Sequence, residues 1–393
     1  MNQALENIKV LDLTRVLAGP YATMILADMG ADVIKIEMPK TGDDSRAYGP
    51  YIDGESAYFM SLNRNKRSIT MNLKLPETKE IFLKLVKEAD VVVENYRPGT
   101  MEKLGLGYEK LKEINPRIIY AAASGFGHTG PYSQRPAYDA VVQAMGGIMS
   151  ITGMDEPTRV GPSIGDVTAG LFTAIGILSA LNYRNETGIG QKVDVAMLDC
   201  QVAILENAIA RYFATGVSPK PLGNRHSSII PFETFKTTDG EIMIAAGNDT
   251  LWKKLCEAMG VAELGDDERF CTNILRTQNY LELKPILDKC IKTKTTAEWI
   301  EILNKFGIPN GPINDIQGVV NDPQIKSRDM IVDVNHPKVG SIKMAGVPIK
   351  MSETQGYIRK PAPLLGEDTE DILKNLVKIN DNEIKELREK GGI

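Results

Sequence analysis

The chain has 393 residues, which is too many for one ordinary hydrophobic core, so we expect two domains. Hydrophobic residues make up 42% of the chain and charged residues 25%, a composition typical of globular proteins. The formal net charge of −5 argues against a nucleic acid or a membrane surface as partner.

The first third of the chain alternates strand patterns with helix patterns. β-rich, mostly apolar runs occupy residues 8–13, 32–37, 68–72, 91–94 and 118–123, and helix patterns at 77–88 and 108–114 lie between some of them. Pro20 suits the first turn of the helix after the first run, and Gly30 suits its end. This alternation predicts an α/β fold with a parallel sheet covered by helices.

The pattern of predicted helices and strands changes near residue 216. An apolar helix from Asp166 to Tyr183, a strand at 192–196 and a helix at 198–214 come before it. We interpret residues 216–232, which begin with a Pro/Gly-rich run, as a linker. A hairpin around Asp239 and Gly240 follows, with helices at 250–259, 281–292 and 296–305, which predicts a smaller α+β domain over 233–325.

The chain lacks the residue patterns that several kinds of functional site require. The four cysteines form no CxxC pair and the three histidines are far apart, so we expect neither a disulfide framework nor a metal site. Residues 15–20 replace the glycine pattern of dinucleotide-binding folds, so we expect no NAD and no FAD. We also expect no permanently bound cofactor of another kind. The N-terminus lacks signal-peptide features and the apolar stretch at 167–181 is too short to span a bilayer, which favours a cytoplasmic enzyme.

Two basic loops are candidate phosphate sites. Lys66 and Arg67 end a cationic run and Lys74 follows, while Arg97 and Lys103 flank a second loop after a β-rich run. Arg and Lys pair with phosphate oxygens, and ligands of open α/β sheets lie at the carboxyl ends of strands. The alternative for such charge runs is a solvated surface.

Asp166 is the sharpest single candidate, at the start of the apolar helix. It either caps the helix, as Asp commonly does, or serves as a nucleophile whose ionised form the helix N-terminus favours. Gly165 beside it would let a substrate approach closely. His128, in a Gly-rich loop, has a backbone hydrogen bond as its simpler interpretation, and His226 positions either the linker or a ligand.

Ordered motifs along the whole chain resemble one family. They are LDLTRVLAGPYAT, LADMGADVIKIE, NRNKRS, VENYRPG, SGFGHTGPY, AYDAVVQAMGG, the Asp166 segment, GNRHSSIIPFETFKTTDG, GVPIKMS and PAPLLGEDT. In these segments the chain resembles the class III CoA-transferases, the family of formyl-CoA transferase and carnitine CoA-transferase.

The resemblance implies a fold and a site. A Rossmann-like large domain would be built from residues 1–215 and 326–393, and two chains would form a homodimer of interlocked rings. The family's catalytic aspartate falls on Asp166. CoA contacts are implied at Leu17, Ala18, Lys66, Arg67, Met71, Lys74, Asn95, Tyr96, Arg97, Lys103, Arg135, Tyr138 and Asp139.

The implied reaction moves CoA from an acyl-CoA donor to a small carboxylic acid through an aspartyl-CoA thioester. Formyl-CoA transferase has Gln in place of Leu17 and Arg in place of Met38, and its active-site glycine run is reduced here to Gly247, followed by Asn248. These departures make oxalate doubtful as an acceptor and favour a larger acid. Gly165, Gly247, Asn248 and His226 are the substrate or lid candidates.

Three other functions compete with this one. The α-methylacyl-CoA racemases share most segments, but their catalytic histidine falls on Tyr138, a poor general base at neutral pH. A non-catalytic acyl-CoA-binding protein would keep the basic loops without needing Asp166. A dinucleotide oxidoreductase lacks its glycine pattern.

Overall fold

A computed structural model describes residues 3–393. The chain divides into two compact units. The first unit comprises residues up to Ile148, Val160–Ala210 and Pro323–Ile393, and the second comprises Met149–Arg159 and Arg211–Asp322. The segment predicted as a linker, 216–232, therefore lies in the second unit.

The first part of the chain alternates strands and helices. In chain order they are β1 (Lys9–Asp12), α1 (Ala18–Asp28), β2 (Asp32–Glu37), β3 (Tyr51–Ile52), β4 (Glu55–Ser56), α2 (Ala57–Leu62), β5 (Lys66–Thr70), α3 (Pro76–Glu88), β6 (Val91–Glu94), α4 (Thr100–Lys103), α5 (Tyr108–Ile114) and β7 (Ile119–Ser124). There follow α6 (Asp139–Met145), α7 (Ile148–Ile151), α8 (Ile164–Thr187), β8 (Lys192–Ala196), α9 (Met197–Ala203) and α10 (Asn207–Thr215).

Six of these strands form one parallel sheet in the order β5-β2-β1-β6-β7-β8. Successive residues of a strand point to opposite faces, so Leu11 and Val10 belong to different hydrophobic cores. Ile177 and Leu181 of α8 cover the face of Val10, whereas Phe82 of α3 covers the face of Leu11. The predicted α/β class with a parallel sheet is confirmed, and all six carboxyl ends lie at one edge of the sheet.

The second unit has a small sheet and its own core. Its elements are β9 (Phe232–Lys236), β10 (Glu241–Ala245), α11 (Asp249–Met259), α12 (Asn273–Gln278), α13 (Tyr280–Ile291), α14 (Thr296–Lys305), β11 (Asn310–Pro312) and α15 (Ile316–Asn321). The strands pair antiparallel in the order β11-β10-β9. Trp252, Trp299 and Phe235 are almost fully buried and anchor this core.

The chain end completes the first unit. Its elements are α16 (Pro323–Ser327), the antiparallel pair β12 (Ile331–His336) and β13 (Gly340–Ala345), α17 (Thr369–Asn375) and α18 (Asp381–Glu389). Ile372 and Leu387 join the core on the face of Leu11. The Asp368 carboxylate also accepts a hydrogen bond from the Ser68 backbone N–H at 2.8 Å, so the last seventy residues are part of the same unit as the main sheet.

Three predictions about elements need correction. The helix expected over 198–214 is interrupted between α9 and α10, where Glu206 adopts a φ of +49° that no helix tolerates. The strand expected at 68–72 begins two residues earlier, at Lys66. The apolar stretch judged too short for a bilayer belongs to α8, whose 24 residues are long enough. Half of its most apolar window is buried within the chain, as in the core helix of a globular protein.

Candidate active site

A cavity of about 270 Å³ opens at the carboxyl ends of the main sheet. Four strands deliver its lining through their carboxyl ends and the segments that follow them. The lining comprises Arg15–Ala18 after β1, Asn95–Pro98 after β6, Ala123–Gly125 at the end of β7 and Met197 after β8, together with Asp44, Ser133, residues 135–138 and Asp166. The sheet topology thus brings together residues that are up to 182 positions apart, from Arg15 to Met197.

Asp166 enters this cavity from the third position of α8. Ser163 is the N-cap residue, so the alternative in which Asp166 caps the helix is wrong. Burial and the nearby carboxylate of Asp139 raise the pKa of Asp166 to about 7, and no cation is among the groups that shift it. At neutral pH the carboxyl group therefore passes readily between its acidic and its nucleophilic form.

Gly165 is a packing residue against α6. A Cβ atom there would lie 2.8 Å from Val142 Cγ2 and 3.0 Å from Asp139 Oδ1, so a side chain would push α6 away. The Gly165 backbone N–H donates to Asp139 Oδ1 at 2.8 Å. Asp139 itself is buried behind the cavity and does not line it.

The loop of Leu17 and Ala18 is held in an unusual shape. Val16 has a φ of +67°, which is rare for a β-branched residue. The side chain of Asn95 bridges the Arg15 backbone, accepting from its N–H at 2.8 Å and donating to its carbonyl at 2.7 Å. The N-cap residue Leu17 makes no side-chain cap to α1, and Ala18, the first residue of that helix, lines the cavity.

Two buried ion pairs lie next to the loop that contains Leu17 and Ala18. Lys35 pairs with Asp43 at 2.8 Å, and Asp43 also accepts the Val16 N–H at 3.0 Å. Lys66 pairs with Asp12 at 3.0 Å, and neither side chain has any solvent exposure. Lys35 and the hydrogen bonds of Asp43 hold the pKa of Asp43 far below its usual range, despite burial.

Several residues predicted to contact CoA do not line the cavity, because they are buried, paired with other residues or exposed elsewhere. Lys66 is wrong as a phosphate ligand because its ammonium is buried and paired with Asp12. Arg67 pairs with Asp32 at 2.5 Å and Met71 is buried in the core. Lys74 and Lys103 are exposed and lie outside the cavity lining.

Other predicted contacts do line the cavity. They are Leu17, Ala18, Asn95, Tyr96, Arg97, Arg135 and Tyr138. The Arg135 guanidinium lies 4.6 Å from the Tyr132 ring centroid, and Tyr138 is 78% exposed at the start of α6. The exposed phenol of Tyr138 gives no structural reason to expect a general base.

Two groups near the site have no signal in the sequence. Burial and the Asp166 charge raise the pKa of Tyr58 to about 12, so this phenol interacts electrostatically with the candidate nucleophile. Burial also raises the pKa of Glu94 to about 7, and Glu94 accepts the Tyr96 N–H at 2.7 Å and the Tyr120 hydroxyl at 3.1 Å. His128 Nε2 lies 3.7 Å from Glu94, behind the cavity.

The remaining substrate candidates belong to the second unit. His226 stacks on Phe232 with centroids 5.2 Å apart, and its Nδ1 accepts the Ser228 N–H. Asn248 caps α11, and a side chain at Gly247 would meet no atom within 4 Å. Among residues 3–393, no group of three or more His, Cys, Asp or Glu side chains is placed to hold a metal ion.

Comparisons with known proteins identify the family. The model described as CoA-transferase family III matches residues 5–369. An acetyl-CoA:oxalate CoA-transferase of Acetobacter aceti is 45% identical over 92% of this chain and 93% of its own. A succinyl-CoA:glutarate CoA-transferase of Mus musculus is 42% identical over 98% of this chain and 88% of its own.

Solved structures agree with the sequence comparisons. A CaiB/BaiF family protein from Brucella suis superposes with a TM-score of 0.85 at 42% identity, covering 96% of this chain and 100% of that one. The Rv3272 protein of Mycobacterium tuberculosis has a TM-score of 0.84 at 32% identity, over 94% and 98%. The chain belongs to CoA-transferase family III and is a CoA-transferase.

Proposed function

We propose that this enzyme transfers CoA between carboxylic acids with Asp166 as a covalent nucleophile. The observation that carries the proposal is the position of Asp166, on the first turn of α8 at the cavity formed by the carboxyl ends of the sheet. The N-terminus of α8 favours the ionised form of the Asp166 side chain. Burial of this carboxylate keeps it reactive as a nucleophile.

The reaction proceeds by exchange of acyl bonds. The Asp166 carboxylate attacks the donor thioester carbonyl, which forms a mixed anhydride and releases the CoA thiolate. The thiolate then attacks the aspartyl carbonyl, which gives an aspartyl-CoA thioester and the free donor acid. The acceptor carboxylate attacks that thioester, and the released thiolate closes the cycle on the new acyl group. One thioester replaces another, so the bonds balance without a co-reactant.

Preorganised donors stabilise the oxyanions that form in these steps. The donor available at the N-terminus of α1 is the backbone N–H of Ala18, which lines the cavity, and the hydrogen bonds of Asn95 and Asp43 fix the preceding loop. Donors held in place before the reaction need no reorganisation during it.

We propose dicarboxylic acids or their hydroxylated relatives as the substrates. Relatives 42–45% identical to the chain are named for succinyl-CoA with glutarate or mesaconate, and for acetyl-CoA with oxalate. Arg15, Arg97 and Arg135 line the cavity and offer cations to a second carboxylate or to CoA phosphates. Because one relative is named for oxalate, the missing formyl-CoA transferase features do not exclude that acid.

We propose a homodimer of interlocked chains as the working form. Leu171, Phe172 and Ile175 of α8 are 42%, 38% and 56% exposed in the single chain. An apolar stripe of this kind marks an interaction surface, and a second copy of the chain would cover it.

A matrix of acyl-CoA donors and carboxylate acceptors tests the proposed function. Succinyl-CoA and acetyl-CoA would be paired with glutarate, oxalate, mesaconate and 2-hydroxy acids, and the new thioester measured by mass spectrometry. We expect transfer to at least one dicarboxylate, and none above background with Asp166→Asn. Transfer that survives in this variant would exclude the aspartyl route.

A further inference from the structure

A half-exposed ion pair lies at the wall of the cavity that contains Asp166. Arg15 Nη1 lies 3.1 Å from Asp44 Oδ2, and the two side chains are 47% and 53% exposed. The Arg15 guanidinium also lies 5.2 Å from the centroid of the Tyr96 ring. Arg15, Asp44 and Tyr96 all line the cavity. The pair therefore presents a cation and an anion to a molecule that binds there.

The buried Asp43 carboxylate holds the backbone beside both members of this pair. Asp43 Oδ1 accepts the N–H of Val16 at 3.0 Å and the N–H of Ser45 at 2.9 Å. Val16 follows Arg15 in the chain, and Ser45 follows Asp44. One carboxylate thus fixes the two segments that carry the ion pair, so the position of the pair is set by the fold.

The segment of Arg15 packs against the helix that carries Asp166. A Cβ atom at Gly170 would lie 2.8 Å from the Ala18 carbonyl oxygen, so the backbones of the segment and of α8 are in close contact there. Gly170 comes about one helical turn after Asp166, and Ala18 comes shortly after Arg15. An acyl group bound at Asp166 therefore shares its cavity with the Arg15 guanidinium.

The Arg15 guanidinium has hydrogen-bonding capacity to spare. Within residues 3–393 its side chain donates only to Asp44, through Nη1, whereas a guanidinium has several further N–H donors. The position of Asp44 shows that a carboxylate fits against this cation. Exposed ion pairs contribute little to stability, so Asp44 competes only weakly with a second carboxylate that binds the remaining N–H groups.

We propose that Arg15 binds the second carboxylate of a dicarboxylic acyl group and thereby determines a preference for dicarboxylic over monocarboxylic substrates, while the Asp44 charge moderates that preference. The inference rests on the proposed function, since it concerns the acyl group that Asp166 exchanges. The planar fork of Arg15 recognises a carboxylate, and Asp44 repels the same carboxylate because both are anions. A monocarboxylic acyl group has no charge to place at Arg15.

Two donors of equal chain length isolate the effect of the second carboxylate. Succinyl-CoA and butyryl-CoA carry acyl groups of the same length, but only the succinyl group ends in a carboxylate. kcat/KM for each donor would be measured, with glutarate as acceptor, in wild type, Arg15→Met, Arg15→Lys and Asp44→Asn. Arg269→Met is the matched control, because Arg269 is 55% exposed, pairs with Asp267 at 2.8 Å and does not line the cavity.

We expect Arg15→Met to lower kcat/KM for succinyl-CoA by roughly 10- to 100-fold more than for butyryl-CoA, the scale of a lost hydrogen bond between charged groups. Arg15→Lys should keep part of the preference, because it keeps the charge without the planar fork. Asp44→Asn should raise the preference for succinyl-CoA a few-fold. Arg269→Met should leave the ratio of the two donors unchanged.

Equal losses for the two donors in Arg15→Met would place Arg15 at the CoA moiety and overturn the inference, as would no loss for either donor. A wild-type preference for butyryl-CoA would also overturn it, and an unchanged donor ratio in Asp44→Asn would refute the role of that charge.

Calorimetric dissociation constants for both donors provide a readout that needs no turnover. In the Asp166→Asn background, Arg15→Met should weaken the binding of succinyl-CoA and leave that of butyryl-CoA nearly unchanged. Equal effects on the two dissociation constants would overturn the role of Arg15. Failure of the proposed function would appear separately, as transfer activity in the Asp166→Asn enzyme itself.

Discussion

At the scale of single residues, the account depends on an aspartate that titrates near neutrality. Asp166 must be ionised to attack, and its pKa is raised to about 7 by burial and Asp139. We therefore expect kcat/KM to rise with pH through about 7, instead of levelling off near 4 as for an ordinary aspartate. A pH profile from 5 to 9 with a subsaturating acyl-CoA measures this. A flat profile above pH 5 would contradict it.

Ionisation of the buried Asp166 carboxyl group should also lower the free energy of unfolding of the enzyme at alkaline pH. A carboxyl group whose pKa is higher in the folded chain binds more protons there than in the unfolded chain. Its stabilising contribution is complete below about pH 4 and is lost as pH rises through about 7. Asp166→Asn, which cannot ionise, should gain about 1–3 kcal/mol over wild type at pH 8.

Urea unfolding at pH 5 and pH 8 checks this linkage. The difference in unfolding free energy between Asp166→Asn and wild type should be larger at pH 8 than at pH 5. An equal difference at the two pH values would show that Asp166 titrates at its ordinary pKa.

Sequence patterns located some residues of the site and missed others. Asp166, Asn95 and Tyr96 follow from the family motifs and line the cavity. Lys66 was predicted wrongly because a basic run does not show that Asp12, distant in sequence, will bury one of its cations. Tyr58 was missed because only the folded chain shows that Asp166 affects it.

At the scale of elements, the strand that begins with Lys66 carries a buried structural cation, and the exposed cation Lys74 follows the same strand. Lys66→Ala would leave the buried Asp12 carboxylate without the cation that pairs with it, so we expect a loss of about 3–5 kcal/mol in unfolding free energy. Lys74→Ala, at an exposed position after the same strand, should leave stability nearly unchanged.

Urea unfolding and KM for acyl-CoA distinguish the two lysines. Lys74→Ala should raise KM by several-fold if that side chain meets a CoA phosphate, with little change in kcat. A Lys66→Ala enzyme of normal stability would refute the buried ion pair.

The bounds of several strands and helices were predictable from the local pattern of apolar and polar residues. The strands at 32–37, 91–94 and 192–196 and the helices at 108–114 and 296–305 have the bounds that their patterns predict. The break between α9 and α10 was not predictable, because both helices carry a continuous helix-forming pattern and only the backbone of Glu206 departs from it. Strand order was likewise invisible to local pattern, since β1 lies between β2 and β6.

At the scale of the whole molecule, the exposed stripe of α8 predicts a stable homodimer. Interlocked chains cannot separate without unfolding, so mass photometry at nanomolar concentration should show only the dimer. Ile175→Glu, which places a charge in the stripe, should reduce the yield of that dimer. A folded wild-type monomer on dilution would contradict the interlocked arrangement.

The covalent aspartyl intermediate is the central claim, and trapping it is the most direct test. Wild-type enzyme would be incubated with acyl-CoA and hydroxylamine, digested with trypsin and examined by mass spectrometry. We predict an aspartyl hydroxamate at Asp166 on the peptide of residues 160–184, which is absent without acyl-CoA and absent in Asp166→Asn. Turnover by an enzyme that never yields this adduct, together with an active Asp166→Asn variant, would contradict the mechanism.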